Sequence, residues 1–198
     1  SKAIIGRSHR SKIALKTINE VISLTKELLE IPEDYYVGVV PASDTGAIEM
    51  LMWSLLGKKK VEVLAWESFG SDWVKDITNQ LKLLDTKIIQ ADYGSIVNLE
   101  LVDFKNDIVF TWNGTTSGVC VPNGNWIDDN REGLTICDAT SAAFSMSLPW
   151  NKLDATSFSW QKVLGGEAQH GVIVLSPRTI NRLENYIPNR AIPKILQM

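Results

Sequence analysis

This chain of 198 residues has little of what several kinds of protein need. Two cysteines and two histidines are too few for a disulfide framework or a typical zinc site. No apolar stretch approaches the roughly 20 residues of a membrane span. The net charge of −3, without a basic cluster, argues against nucleic acid as a partner. No G-x-G-x-x-G follows the first predicted strand, so a dinucleotide site is not expected either.

The small number of cysteines also indicates the cellular compartment. Residues 1–6 do not have the layout of a signal peptide, and the two cysteines, Cys120 and Cys137, favour a reducing compartment. We therefore expect a cytoplasmic protein. Neither end of the sequence resembles a natural terminus, so we expect that the chain is part of a longer protein.

What the chain does contain is an alternation of short apolar runs and amphipathic stretches, which is typical of a mainly parallel α/β sheet. The runs predict seven strands, at 36–41, 61–66, 87–91, 107–112, 134–138, 155–159 and 171–175. The amphipathic stretches predict helices at 11–29, 45–56, 73–84 and 177–186. The sequence predicts one domain over 1–198, with ligands bound beyond the carboxyl ends of the strands.

Two residues at predicted strand ends are candidates for chemistry. Lys162 follows the strand 155–159 in a turn with Gly165 and Gly166, from which a lysine can form a Schiff base with a carbonyl compound. Asp138 ends the strand 134–138. Proteins hold pyridoxal phosphate with such a pair, the acid on the pyridinium nitrogen and the lysine on the aldehyde carbon. Taken singly, a solvated surface lysine and a helix cap are the commoner explanations.

Small and hydroxylated residues follow the first predicted strand. Ser43, Asp44 and Thr45 lie where the predicted helix 45–56 opens, and such a helix start offers backbone N–H groups to a phosphate. For this segment taken alone, an ordinary capping box with one of the three residues as N-cap is the commoner explanation. The two interpretations do not exclude each other.

Five short motifs, taken together, resemble one known family. They are the segments 8–11, 41–46, 111–119, 137–141 and 159–162, which span nearly the whole chain in this order. Their joint occurrence resembles the phosphoserine aminotransferases, in particular the bacterial branch, within the class V, fold-type I pyridoxal-phosphate enzymes. The resemblance implies the large domain of that fold type, with helices on both faces of a seven-stranded sheet.

The resemblance also implies roles for single residues. Lys162 would form the Schiff base with pyridoxal 5′-phosphate and move the proton between the substrate Cα and the cofactor. Asp138 would keep the pyridine nitrogen protonated, and Thr115 would contact the side of the phenolic oxygen.

The other cofactor and substrate contacts follow from the same resemblance. The turn of Ser43, Asp44 and Thr45 would bind the phosphate, largely through backbone N–H groups, and the side chain of Gln161 would add a contact. His9 and Arg10 match the family's substrate-contacting pair, whose charge suits an anionic phosphate or carboxylate.

One position has two candidates. Phe69 falls where the family places an aromatic ring on the pyridine face, and Trp73 follows one helical turn later. We favour Phe69, because it lies closer to the predicted strand end at Trp66. The family pattern assigns no chemistry to His170, which we expect to be structural.

The function implied is transamination between O-phospho-L-serine and 2-oxoglutarate, giving 3-phosphohydroxypyruvate and L-glutamate, by a homodimer in serine biosynthesis. Alternatives are another class V reaction, such as alanine–glyoxylate transamination or cysteine desulfuration, or a cofactor-binding fragment without activity. A desulfurase needs a nucleophilic cysteine in a mobile loop, which neither Cys120 nor Cys137 provides. Complete members continue into a smaller C-terminal domain, so we expect this chain to hold only part of the substrate site.

Overall fold

The computed structural model describes residues 8–198, whose strands form one sheet. The strands are β1 (Tyr36–Pro41), β2 (Val61–Ala65), β3 (Thr86–Gln90), β4 (Asp107–Thr111), β5 (Thr135–Asp138), β6 (Ala155–Ser159) and β7 (His170–Leu175). Their order is β1-β7-β6-β5-β4-β2-β3, and only β7 runs antiparallel to its neighbours. All the predicted strands are confirmed, as is the mainly parallel α/β fold class.

The central strands are apolar runs because both of their faces are buried. Every residue of β2, β4, β5 and β6 is buried. Along β4, Ile108 and Phe110 join one core cluster, whereas Val109 between them joins the other. The sheet therefore separates two apolar layers, one on each face.

The α-helices among residues 8–198 are α1 (Lys12–Leu28), α2 (Ser43–Leu55), α3 (Ser68–Lys75) and α4 (Pro177–Asn185). Ser11 and Ser176 cap α1 and α4, accepting from the backbone N–H of Ala14 and Thr179 at 3.3 and 3.2 Å. The helices α2, α3 and α4 pack on one face of the sheet. The other face is covered by the end of α1 and by the inter-strand segments, with their short 3-10 helices Leu99–Leu101 and Trp150–Lys152. None of the helices described is long and apolar enough to cross a membrane.

The third helix differs from the expectation of 73–84. It begins at Ser68, because the side chain of Glu67 accepts from the backbone N–H of Gly70 at 2.6 Å and caps it. After Lys75 it passes into a π-helical turn, Asp76–Gln80. The apolar spacing becomes helical only from Trp73 onward, so the sequence pattern placed the start too late.

Candidate active site

A cavity lies at the carboxyl ends of the strands, and nearly all the predicted site residues line it. Its lining consists of Ser43, Asp44, Thr45, Phe69, Trp73, Thr115, Asp138, Thr140, Gln161 and Lys162. These residues come from five segments that are far apart in the sequence, each of which lies at or after the end of a strand of the sheet. Parallel strands place their carboxyl ends at one edge of the sheet, which explains why the residues meet there.

The start of α2 is not closed by a side chain. Its N-cap is Ala42, which makes no side-chain hydrogen bond, so the interpretation of Ser43, Asp44 or Thr45 as N-cap is wrong. Ala42 and Ser43 both have left-handed backbone conformations, with φ of 67° and 59°, which non-glycine residues adopt at an energetic cost. The first N–H groups of the helix lack intrahelical partners and carry the positive end of its dipole. This turn suits an anion.

Close backbone packing holds that turn in place. A Cβ atom at Gly171, in β7, would overlap the carbonyl oxygen of Ser43, and one at Gly46 would overlap the carbonyl oxygen of Pro41. The backbones approach so closely that only glycine fits at either position. The position of the turn is therefore set by the neighbouring strands.

The turn of α2 is also tied to the turn that carries Lys162. The hydroxyl of Ser43 donates to Oε1 of Gln161 at 2.7 Å. Lys162 itself is exposed, and within residues 8–198 its Nζ makes no hydrogen bond or ion pair. An amine held at the rim of a cavity without a salt-bridge partner is available to a ligand.

Asp138 forms the buried end of the cavity and is oriented by two N–H donors. Its side chain is 7% exposed. Oδ1 accepts from the backbone N–H of Thr140 at 3.0 Å, and Oδ2 accepts from Nε1 of Trp73 at 3.3 Å. Burial raises the pKa of Asp138 above its ordinary value, and the hydrogen bonds from Thr140 and Trp73 partly oppose that rise.

Asp44 is buried beside Asp138, with 6% of its surface exposed. Its Oδ1 has no hydrogen-bond partner within residues 8–198. The pKa of Asp44 lies well above its ordinary value, first because of burial and then because of the negative charge of Asp138; the hydroxyls of Ser157 and Thr140 lower it in part. Asp44 thus belongs to the anion-binding turn and lines the same cavity as Asp138, whose charge acts on it.

The two aromatic candidates occupy different surroundings. Phe69 and Trp73 are one helical turn apart and therefore share a face of α3. Trp73 is 3% exposed and its indole N–H is engaged by Asp138, whereas Phe69 is 37% exposed at the cavity. Phe69 is therefore the more exposed of the two rings that line the cavity.

Thr115 and Thr140 complete the lining. The hydroxyl of Thr115 donates to Oγ of Ser141 at 3.0 Å, and Ser141 donates to the carbonyl of Asn113 at 3.1 Å. Thr140 escaped the sequence analysis, although it follows Asp138 by two residues in one of the quoted motifs. Its backbone bond to Asp138 is the common Asx pattern, which a search for residues two positions after a key aspartate would find.

The structure does not bring the predicted substrate pair to this cavity. His9 and Arg10 are exposed in the turn before α1, and neither lines the cavity. His170 begins β7, where its ring lies 5.7 Å from the ring of Trp160, in keeping with a structural role.

The cavity fits the cofactor that the resemblance implies. An uncapped helix start matches a phosphate, a buried carboxyl group without a cationic partner in residues 8–198 matches a protonated ring nitrogen, and Lys162 matches an aldehyde. Phe69 adds an aromatic surface. All these groups face one space.

Comparisons with known proteins concern the chain as a whole. No protein-family model matches the chain. The phosphoserine aminotransferase of Methanosarcina mazei is 60% identical over 196 residues, which are 99% of this chain and 53% of that protein. The crystal structure of a phosphoserine aminotransferase from Cytophaga hutchinsonii superposes with a TM-score of 0.82 at 28% identity, covering 91% of this chain and 50% of that one.

A third comparison concerns the fold alone. The pyridoxal-phosphate-bound phosphoserine aminotransferase of Trichomonas vaginalis has a TM-score of 0.76 at 16% identity, over 98% of this chain and 54% of that one. This chain spans about half the length of the curated relatives it matches.

Proposed function

Because this chain belongs to the phosphoserine aminotransferase family, we propose that it is the cofactor-binding large domain, residues 1–198, of a phosphoserine transaminase. The whole enzyme moves an amino group between O-phospho-L-serine and 2-oxoglutarate, with 3-phosphohydroxypyruvate and L-glutamate as the other pair, in serine biosynthesis. The observation that carries the proposal is the single cavity shared by Lys162, Asp138 and the uncapped start of α2.

The cofactor is pyridoxal 5′-phosphate, which supplies an electron sink for a negative charge at the substrate Cα. The backbone N–H groups at Ser43, Asp44 and Thr45 hold its phosphate, and the helix dipole favours the negative charge. Gln161 contacts the same phosphate and, through its bond to Ser43, keeps the turn at a fixed distance from Lys162.

Asp138 would keep a proton on the ring nitrogen by opposite-charge proximity. Trp73 and the backbone of Thr140 hold the carboxylate in one orientation, so its charge is directed at the ring. Phe69 and Thr115 line the same cavity, where Phe69 would stack on the ring and Thr115 would contact the side of its phenolic oxygen. Lys162 would hold the aldehyde carbon, and its amine would carry the proton to and from the substrate Cα.

The remaining assignments concern the whole protein. His9 and Arg10 bind the anionic substrate, where a guanidinium can grip two phosphate oxygens at once. Neither residue lines the cavity, so this proposal needs further parts of the whole protein to complete the substrate site. The enzyme acts as a cytoplasmic homodimer.

Cysteine desulfuration is the less suitable alternative on this fold. Cys137 is buried within β5, and burial raises the pKa of its thiol well above the ordinary value. Cys120 is partly buried, with Sγ 3.1 Å from the carbonyl oxygen of Val121, and burial raises the pKa of this thiol as well. Neither thiol is an exposed loop nucleophile.

The test is a covalent one. The protein is incubated with pyridoxal 5′-phosphate and reduced with borohydride, and its peptides are mapped. We expect the pyridoxyl label on Lys162 and its loss in Lys162→Arg, while Lys105→Arg, a change of an exposed lysine, keeps it. A label on another lysine, such as Lys152, would contradict the assignment.

A further inference from the structure

Two carboxyl groups meet at the buried end of the cavity without a cation between them. Asp44 and Asp138 are both more than nine-tenths buried and both line the cavity. Neither forms an ion pair within residues 8–198. The other titratable groups that face them are the thiol of Cys137, from β5, and the amine of Lys162, at the rim. The neutral neighbours are Trp73, from α3, with Thr140 and Ser157.

Two buried carboxylates that face each other cannot both be ionised, because burial and mutual repulsion disfavour the second charge. The hydrogen bonds decide which group keeps the proton. Asp138 already accepts from two N–H donors, at Thr140 and Trp73, and these favour its ionised form. Asp44 Oδ1 accepts from no group within residues 8–198, and the pKa of Asp44 is raised further than burial alone would raise it, because Asp138 is charged.

The position of Asp44 gives a second reason for a neutral side chain. It lies in the first turn of α2, where the backbone N–H groups point at the proposed phosphate. An ionised carboxylate within that turn would oppose phosphate binding by like-charge repulsion. A protonated carboxyl group would not.

We propose that Asp44 is a positioning residue that carries the single proton of this carboxyl pair and donates it to Asp138 in a hydrogen bond. Asp138 is thereby held as the one anion that faces the ligand, with donors on both sides. The effect of this hydrogen bond on the cofactor rests on the proposed function, whereas the location of the proton on Asp44 does not.

The proton can be detected directly in the cofactor-free protein. Infrared spectroscopy at pH 7 should show the C=O band of a protonated buried carboxyl group, and this band should disappear in Asp44→Asn. Asp72→Asn, which changes an exposed aspartate, should leave it in place. Persistence of the band in Asp44→Asn would overturn the proposal, whatever the cofactor does.

The hydrogen bond is tested by comparing asparagine with alanine at position 44. Asparagine keeps a neutral N–H donor toward Asp138, whereas alanine removes it, so we expect the dissociation constant of pyridoxal 5′-phosphate to rise about twofold to threefold in Asp44→Asn and about tenfold or more in Asp44→Ala. Equal weakening by the two substitutions would show that a hydrogen-bond donor at position 44 contributes nothing and would overturn the proposal. If borohydride labelling fails at Lys162, the proposed function falls, but the infrared band still decides where the proton lies.

Discussion

Acids buried at the amino edge of the sheet are paired with basic side chains, whereas those buried at the carboxyl edge have no cationic partner within residues 8–198. Asp107, the first residue of β4, accepts from Arg182 at 2.8 and 3.0 Å. Asp154, just before β6, accepts from both Nε and Nη2 of Arg131, at 2.9 and 3.0 Å. These pairs satisfy their own charges and need nothing from a ligand.

At the carboxyl edge the charged side chains that line the cavity have no partner of opposite charge among the described residues. Asp138 is oriented by neutral donors, and Asp44 is buried against it. Lys162, at the rim of the same cavity, has no acidic partner among the described residues. A buried charge without a partner destabilises the folded protein. We therefore infer that the acids at the amino edge stabilise the sheet, whereas those at the carboxyl edge are placed to bind a ligand.

The largest expected effect belongs to the amino edge. Asp107→Asn leaves the buried guanidinium of Arg182 without its counter-charge and should lower the free energy of unfolding by about 3–5 kcal/mol. Urea unfolding at pH 7 measures this loss. If Asp138→Asn destabilised the cofactor-free protein by as much as Asp107→Asn does, the two edges would not differ in their contribution to stability.

A backbone change tests the carboxyl edge in another way. Gly171→Ala would drive a Cβ atom into the carbonyl oxygen of Ser43, so it should cost about 1–3 kcal/mol of stability and also weaken pyridoxal 5′-phosphate binding, because the anion-binding turn must move. Gly38→Ala is the matched control. Its Cβ would meet only the flexible side chain of Ile173 at 3.2 Å, and a change within about 0.5 kcal/mol is expected. Unchanged cofactor affinity in Gly171→Ala would show that this turn does not bind the phosphate.

The sequence predicted the sheet and the edge that carries the site because these depend on local patterns. β2, β4, β5 and β6 read as apolar runs since both their faces are buried. Lys162 and Asp138 stood out because Asp138 ends one such run and Lys162 lies in the turn after another. Parallel strands then dictate that the two residues share an edge.

What the sequence could not predict depends on contacts between distant segments. The left-handed turn at Ala42 and Ser43 is imposed by the strand that contains Gly171. The burial of Asp44 against Asp138, and the bond from Trp73 to the same carboxylate, appear only when α2, α3 and β5 are brought together. An aspartate in the first turn of a helix is ordinary in any sequence, and nothing local marks this one.

Replacing the carboxyl group of Asp44 should change how stability depends on pH. Burial and the charge of Asp138 raise the pKa of Asp44 in the folded state above its unfolded value of about 3.9. Its stabilising contribution is therefore complete below pH 4 and is lost as the pH rises toward the folded pKa, at up to about 1.4 kcal/mol per pH unit. Asp44→Asn lacks this loss, so its stability relative to wild type should grow from pH 4 upward in urea unfolding. Parallel curves for the two proteins would show that Asp44 is ionised in the folded state.

The smallest effect on stability should come from an aspartate-to-asparagine substitution on the surface. Asp72 accepts from Lys75 at 2.7 Å, but both side chains are more than half exposed, so water screens the pair and Asp72→Asn should change stability by about 0–0.5 kcal/mol. The three aspartate-to-asparagine changes then differ only in surroundings, since Asp107 has a buried cation, Asp44 a buried acid and Asp72 bulk water. Urea unfolding at low and high salt separates them further, because only the exposed pair should respond strongly to ionic strength. A loss at Asp72 comparable to that at Asp107 would mean that burial is not what makes the amino-edge pairs important.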